Sequence, residues 1–279
     1  MIQNYSHNCP RCQSPNPPAA RFCQGCGSSL GATIAQGQTV AIDSPGTPIQ
    51  MSDEQIRTVM KRAKQVFGDQ PMVLGYSRMT GPNQREHTVF VDDISGSMDW
   101  DYDGQLRKLD AAIRANVTMV LHKEQIDPYD EVGVVVFSDS AEVMLHLSPI
   151  HSHKRQIIQT IQSLQIRGGT DINEGLKAAG NVFDWNRTDV VRRIVLLTDG
   201  KGGHPLGTAD DLKSRGVVID VVGVGKDPSG VDEKLLRKVA SVIEGETRYR
   251  FIKDGYTLNI YFTHLAGKTA TTSFADAGR

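Results

Sequence analysis

The sequence predicts an α/β protein with a doubly wound, mostly parallel sheet and helices on both faces, joined to a small cysteine-held module at its N-terminal end. Three observations carry that expectation. The apolar, β-branched runs HTVFVDD, EVGVVVFSD, RRIVLLTDG and VVIDVVGVG recur from residue 87 onward, each as long as a strand buried on both faces. Amphipathic segments alternate with them, which is the order that builds a parallel sheet covered on two sides. All four cysteines fall before residue 27, which sets that stretch apart from everything after it.

Composition narrows the function. With 279 residues the chain has room for one large domain and something small beside it, at roughly 100 to 200 residues per domain. The net charge is -1, from 31 Lys and Arg against 32 Asp and Glu, so the excess of cations needed to coat nucleic acid or a membrane surface is missing. A hydrophobic content of 39% supports a sizeable core. No apolar run approaches the roughly 20 residues that span a bilayer. The start MIQNYSHNCP has neither a basic nor an apolar leader region, and a cytoplasmic protein is expected. The thiol-free stretch from 27 to 279 agrees with that compartment.

In chain order, residues 1–30 come first. Cys9 and Cys12, then Cys23 and Cys26, form two CxxC turns that together complete the tetrahedral S4 shell of a structural Zn2+ site, with Gly25 and Gly27 easing the second turn. Paired disulfides or a redox pair are the alternative. Together with RFCQGCGSSL, this region resembles the small zinc ribbons at the ends of many bacterial and archaeal proteins. Arg11, Arg21 and the amino terminus are its only cations, too few to favour nucleic-acid binding through the ribbon and more compatible with peptide docking or a structural cap.

Residues 31–51 read as a flexible linker rich in Gly, Thr, Ser and Pro. Residues 52–86 read as a helix and an extension packed on the main domain: Ser52 and Gln55 cap the helix, Ile56, Val59, Met60, Ala63, Val66 and Phe67 form its apolar stripe, and Gly68 ends it. A short strand is expected within 69–86. The main domain spans 87–266, with a tail from 267 to 279. Within it, one helix carries Leu106, Leu109, Ile113, Val117 and Val120 on a stripe. A second carries Ile157, Ile158, Ile161 and Leu164, and a third Leu235, Leu236, Val239, Val242 and Ile243. AEVMLHLSP reads as an antiparallel edge strand after the second parallel one. Ligands bind such sheets at the carboxyl ends of strands, so the loops after Asp93, Asp139, Asp199 and Gly225 are the places to search.

The first of those loops reads Asp93-Ile94-Ser95-Gly96-Ser97-Met98, and alternation turns Asp93, Ser95 and Ser97 toward one point. Gly168-Gly169-Thr170 precedes a helix, and Leu197-Thr198-Asp199-Gly200 ends another strand. With these residues the stretch 87–265 resembles a von Willebrand factor A domain, and the five residues Asp93, Ser95, Ser97, Thr170 and Asp199 match its metal-ion-dependent adhesion site. The resemblance implies that Ser95, Ser97 and Thr170 supply hydroxyl ligands, while Asp93 and Asp199 act directly or through water. Small oxygen donors suit Mg2+ or Mn2+. Two carboxylates balance the ion and leave it free to take an Asp or Glu from a protein partner, a binding function that needs no enzyme chemistry. By the same resemblance, partners include MoxR-type AAA+ ATPases or a kinase and phosphatase pair.

Further signals were weighed beside this one. Asp99, Asp101, Asp103 and Asp110 fit the spacing of a Ca2+ loop, D-x-D-x-D-G-x5-D, and equally a solvated acidic rim that favours the start of the next helix. The segment Gly223 to Gly230 fits no phosphate-binding spacing and reads as a turn. His146, His151 and His153 read as solvated. The enzyme alternative is a Mg2+-dependent phosphohydrolase of the haloacid dehalogenase type. It requires Asp two residues after the first, where this chain has Ser95, and no nucleophile with a base is evident.

Overall fold

The computed structural model describes residues 7–8, 15–16, 85–243 and 245–267. The chain divides into two units, 1–58 and 59–279. In the first, His7–Asn8 pairs antiparallel with Pro15–Asn16, His7 opposite Asn16 and Asn8 opposite Pro15. That ladder brackets Cys9 and Cys12 in the sequence. The four cysteines, the linker 31–51, the helix expected after Ser52 and the tail beyond 267 lie outside the described residues.

In the second unit the five expected strands and one more, Tyr249–Ile252, form a single six-stranded sheet. They are β1 (Arg85–Asp93), β2 (Glu131–Phe137), β3 (Ala141–Pro149), β4 (Val190–Thr198), β5 (Val217–Val224) and β6 (Tyr249–Ile252), in the spatial order β6-β5-β4-β1-β2-β3. All neighbours are parallel except β3, which runs antiparallel on the edge beside β2, as expected from its alternating sequence. β1 is central and buried at every position after Arg85. The strand order turns back on itself between β1 and β4, so the crevice at their carboxyl ends is the natural ligand position of an open parallel sheet.

Six α-helices lie among the described residues of the unit: α1 (Lys108–Ile126), α2 (Ile150–Gln162), α3 (Ile172–Val182), α4 (Leu206–Ser214), α5 (Glu233–Val239) and α6 (Gly255–Gly267). Alternate strand residues divide the core in two. Phe90, Val134, Val136, Leu197 and Val222 face α1, α2 and α6 on one side. Val89, Val91, Val135, Leu196 and Val221 face α3, α4 and α5 on the other. The stripe Leu109, Ile113, Val117 and Val120 is buried as expected, while Leu106 lies ahead of the helix and is half-buried.

Two elements differ from expectation. The third stripe was drawn through Val242 and Ile243, but α5 stops at Val239. Ser241 instead exchanges hydrogen bonds with Ile219 at the edge of β5, its N donating to the Ile219 carbonyl and its Oγ accepting from the Ile219 N, each at 2.9 Å. Val242–Ile243 then pairs with Glu246–Thr247 around Gly245, whose φ of 83° is left-handed. The second is α6, which is not among the expected helices although Leu258, Tyr261, Phe262 and Leu265 recur at helical spacing and are fully buried on one face, with Tyr256 exposed on another. Among the described residues, no helix is long and apolar enough to cross a membrane.

Beneath the two cores runs a buried charge network. Lys123 of α1 pairs with Glu86 at 2.6 Å and Asp130 at 3.1 Å, and Arg193 of β4 with Glu86 at 3.3 Å and Asp220 at 2.7 Å. Arg248 meets Asp220 at 2.7 Å, and Arg193 also donates to the Leu265 carbonyl of α6 at 3.0 Å. Burial alone would raise the Glu86 carboxyl, but Lys123 and Arg193 beside it hold it well below the usual range. Three cations and three carboxylates thus tie the C-terminal ends of α1 and α6 to the sheet. Removing one partner strands a buried charge, at a cost of about 3 to 5 kcal/mol. Arg193→Met should lower the unfolding free energy by that amount in urea titrations, and a loss below about 1 kcal/mol would show that the network contributes little.

Candidate functional site

The sequence-predicted residues meet at the crevice. β1 delivers Asp93 fully buried at its end. The Asp93 carboxylate accepts from the Ser95 N at 2.8 Å through Oδ1 and from the Thr198 hydroxyl at 2.5 Å through Oδ2. A single 3-10 turn over Gly96–Asp99 then places Ser97 beside Ser95, their Oγ atoms 3.2 Å apart. Ser97 Oγ donates to Asp199 Oδ1 at 2.7 Å, across 102 residues of chain. Four of the five residues are therefore joined by hydrogen bonds in one cluster.

Thr170, the fifth, arrives on the loop before α3. That loop is tied to the first by the Gly96 N donating to the Gly168 carbonyl at 3.0 Å and the Arg167 N donating to the Ile94 carbonyl at 2.6 Å. Asp139 supports it, accepting from the Gly169 N at 2.9 Å, and Asp171 caps α3 by accepting from the Asn173 N at 2.9 Å. A Cβ added to Gly200 would lie 3.3 Å from Asp93 Oδ2 and 3.4 Å from Thr170 Oγ1, which sets both donors around one small space. The same Cβ would press to 2.7 Å on the Thr170 methyl, and one on Gly202 would fall 2.1 Å from the Thr170 carbonyl oxygen. Only glycine fits this close approach.

Two further groups complete the surroundings, neither assigned from the sequence. Thr198 orients Asp93 while its own hydroxyl accepts from the Gly200 N at 3.0 Å. Lys108, the first residue of α1, donates its ammonium to Asp199 Oδ2 and, at 3.3 Å, to the Ser97 carbonyl. Its Nζ lies 5.2 Å from the ring centre of Trp100, itself 67% exposed. A basic residue next to Trp100 in space is invisible to loop spacing, because it sits 91 residues from the carboxylate it meets.

The electrostatics follow from burial. Desolvation pushes the Asp93 carboxyl up to about 6, with the Asp199 charge adding to the rise and the Ser95 and Thr198 hydrogen bonds opposing it. Asp92 points to the other face of β1, where burial raises it to about 7 despite a 2.7 Å hydrogen bond from Asn116, and its Oδ1 has no partner. It takes no part in the cluster. The donors that do are all oxygen: two carboxylates and three hydroxyls. Such a set fits a hard divalent cation and offers nothing to a soft one. Asp93, Ser95, Ser97, Thr170 and Asp199 are the residues that would hold it.

The acidic run is held by partners of its own. Arg107 takes Asp99 at 2.7 Å and both oxygens of Asp110 at 2.9 Å, and Lys226 takes Asp101 at 2.7 Å. Asp103 accepts from the backbone N–H groups of Gln105, Leu106 and Gly255. The four carboxylates are thus engaged by Arg107, Lys226 and backbone amides. In the structure these aspartates form turns and ion pairs. His146, His151 and His153 are exposed, as expected.

Comparison with known proteins agrees with the geometry. Residues 88–201 match the family model of the von Willebrand factor type A domain. A relative from Synechocystis sp., the uncharacterized protein sll0103, is 28% identical over 167 residues, which are 57% of this chain and 36% of that protein. The chain therefore spans about a third of that relative's length. The solved structure of a von Willebrand factor type A protein from Catenulispora acidiphila superimposes with a TM-score of 0.53 at 24% identity, over 66% of this chain and 42% of that one. Proximal thread matrix protein 1 of the mussel byssus, solved with a zinc-occupied MIDAS motif, gives 0.52 at 22% identity over 63% and 46%. Both likenesses establish the fold.

The raised Asp93 value makes a signed prediction for the metal-free domain. Its folded value lies above the ordinary 3.8, so its charge opposes folding; the penalty is absent near pH 4 and grows as pH rises through 6. Asp93→Asn should stabilise the protein in EDTA at pH 8, by up to about 3 kcal/mol, and leave it unchanged near pH 4. Urea titrations at the two pH values check this, and a variant less stable than wild type at pH 8 would refute the electrostatic assignment.

Proposed function

We propose that this domain is a cation-dependent protein-binding module rather than an enzyme. Asp93, Ser95, Ser97, Thr170 and Asp199 hold Mg2+ or Mn2+, and the bound ion supplies an open coordination position for an Asp or Glu side chain of a partner. The observation that carries the reading is the cluster at the carboxyl ends of β1 and β4. Residues from three separate loops converge there, joined through the 2.7 Å bond between Ser97 and Asp199. The zinc held at the corresponding motif of the mussel protein supports a metal in this fold. The chain's own part is to pre-set the donors: Thr198 turns the Asp93 carboxylate, Ser97 fixes Asp199, and the ties between Gly96 and Gly168 hold the hydroxyl loops together.

The phosphohydrolase alternative is weaker. Ser95 stands where that chemistry needs a carboxylate. For the N-terminal unit we propose Zn2+ held by Cys9, Cys12, Cys23 and Cys26, giving a second docking or structural element. The antiparallel ladder that brackets the first pair in sequence is consistent with it. A cytoplasmic setting with an ATPase or a kinase and phosphatase pair as partner belongs to the same proposal.

A pull-down from the native extract tests the reading. Partners should be retained by the wild type in Mg2+ and lost both in EDTA and with Asp199→Ala. Equal retention in all three would contradict binding through the ion.

A further inference from the structure

Lys108 occupies an unusual place. It is the first residue of α1, where the helix dipole disfavours a cation, and no side chain caps that end. Its side chain is only 10% exposed, and its ammonium meets Asp199 Oδ2 and the Ser97 carbonyl, two groups that belong to the oxygen cluster. Trp100 covers it on the outer side. Burying an ammonium is costly unless it is paired, so the contact to Asp199 is what keeps Lys108 in this position. The site therefore contains a monovalent cation of its own.

Resting on the reading that the cluster holds a divalent cation, we propose that Lys108 is a specificity-determining residue: it competes with the metal for Asp199 and leaves the loaded site with a net positive charge. The charge count makes the consequence explicit. Asp93, Asp199 and Lys108 sum to -1 without metal and to +1 with a divalent ion. Lacking Lys108 the same site would go from -2 to neutral. Lys108 thus trades metal affinity for a stronger pull on an anionic ligand, and it prevents two carboxylates from facing each other without a counter-charge when the metal is away. A neutral loaded site would pull less strongly on a carboxylate than one with a net charge of +1. Selection of an acidic side chain is then a property of α1 as well as of the loops.

Mn2+ alone serves as the probe, its binding read by electron paramagnetic resonance on the full chain. Lys108→Met should bind Mn2+ at least about tenfold more tightly than wild type, and Lys108→Gln likewise, whereas Lys108→Arg keeps the wild-type affinity. Acetate, titrated into the Mn2+-loaded proteins and read by water-proton relaxation, should bind the Met and Gln variants more weakly than wild type. A purely structural Lys108 predicts the opposite sign for the metal, because a loosened site holds Mn2+ less well. Wild type that binds Mn2+ beside variants that bind it equally or more weakly would overturn the proposal and leave the metal site standing. No Mn2+ binding by any of the four proteins would overturn the metal site itself, and the role of Lys108 with it.

Discussion

A carboxylate buried at the end of the central strand is the constraint around which this domain is arranged. Asp93 has no exposed surface, and it is linked through Ser95 and Ser97 to a second buried carboxylate, Asp199. Two such charges in a low-dielectric crevice repel each other and lose hydration, and hydrogen bonds from Thr198, Ser95 and Ser97 offset only part of that cost. A cation is what the cluster lacks. Lys108 provides one from α1, and the same demand makes the crevice receptive to a divalent ion. The close approach at Gly200 and Gly202, the ties between the two hydroxyl loops and the Asp171 cap of α3 all serve to keep oxygen atoms converging on this point.

The remainder of the fold lets that strained arrangement persist. Two apolar cores, one on each face of the sheet, carry the favourable free energy. The charge network of Glu86, Lys123, Asp130, Arg193, Asp220 and Arg248 has equal numbers of each sign, so its burial leaves no unmatched charge. Glu86 and Asp93 bracket the same strand and illustrate opposite solutions. Cations surround the first and hold it ionised, whereas the second is raised by burial and depends on what binds beside it.

Much of this was legible in the sequence, for identifiable reasons. The four long parallel strands announce themselves because burial on both faces demands continuous β-branched runs. The Asp93, Ser95 and Ser97 spacing is readable because one short loop sets it, and Thr170 and Asp199 follow from their positions at later loops. Lys108 and Thr198 were not legible as site residues, since their roles depend on partners 91 and 105 residues away. The stripe Leu258, Tyr261, Phe262 and Leu265 of α6 has helical spacing and was readable, whereas the end of α5 was not, because Ser241 leaves the helix to join the edge of β5. The aspartates from Asp99 to Asp110 show what spacing leaves out. Their pattern matches a Ca2+ loop, and in the structure Arg107, Lys226 and backbone amides engage them.

The central claim is that the oxygen cluster between β1 and β4 takes a divalent cation. Crystals of the full chain grown with Mn2+ and measured for anomalous scattering address it directly. The account predicts one anomalous peak in the described domain, bonded to the hydroxyls of Ser95 and Ser97 and absent in Ser97→Ala. A domain with no peak at that crevice, or with its peak among Asp99, Asp101 and Asp103 instead, would contradict it.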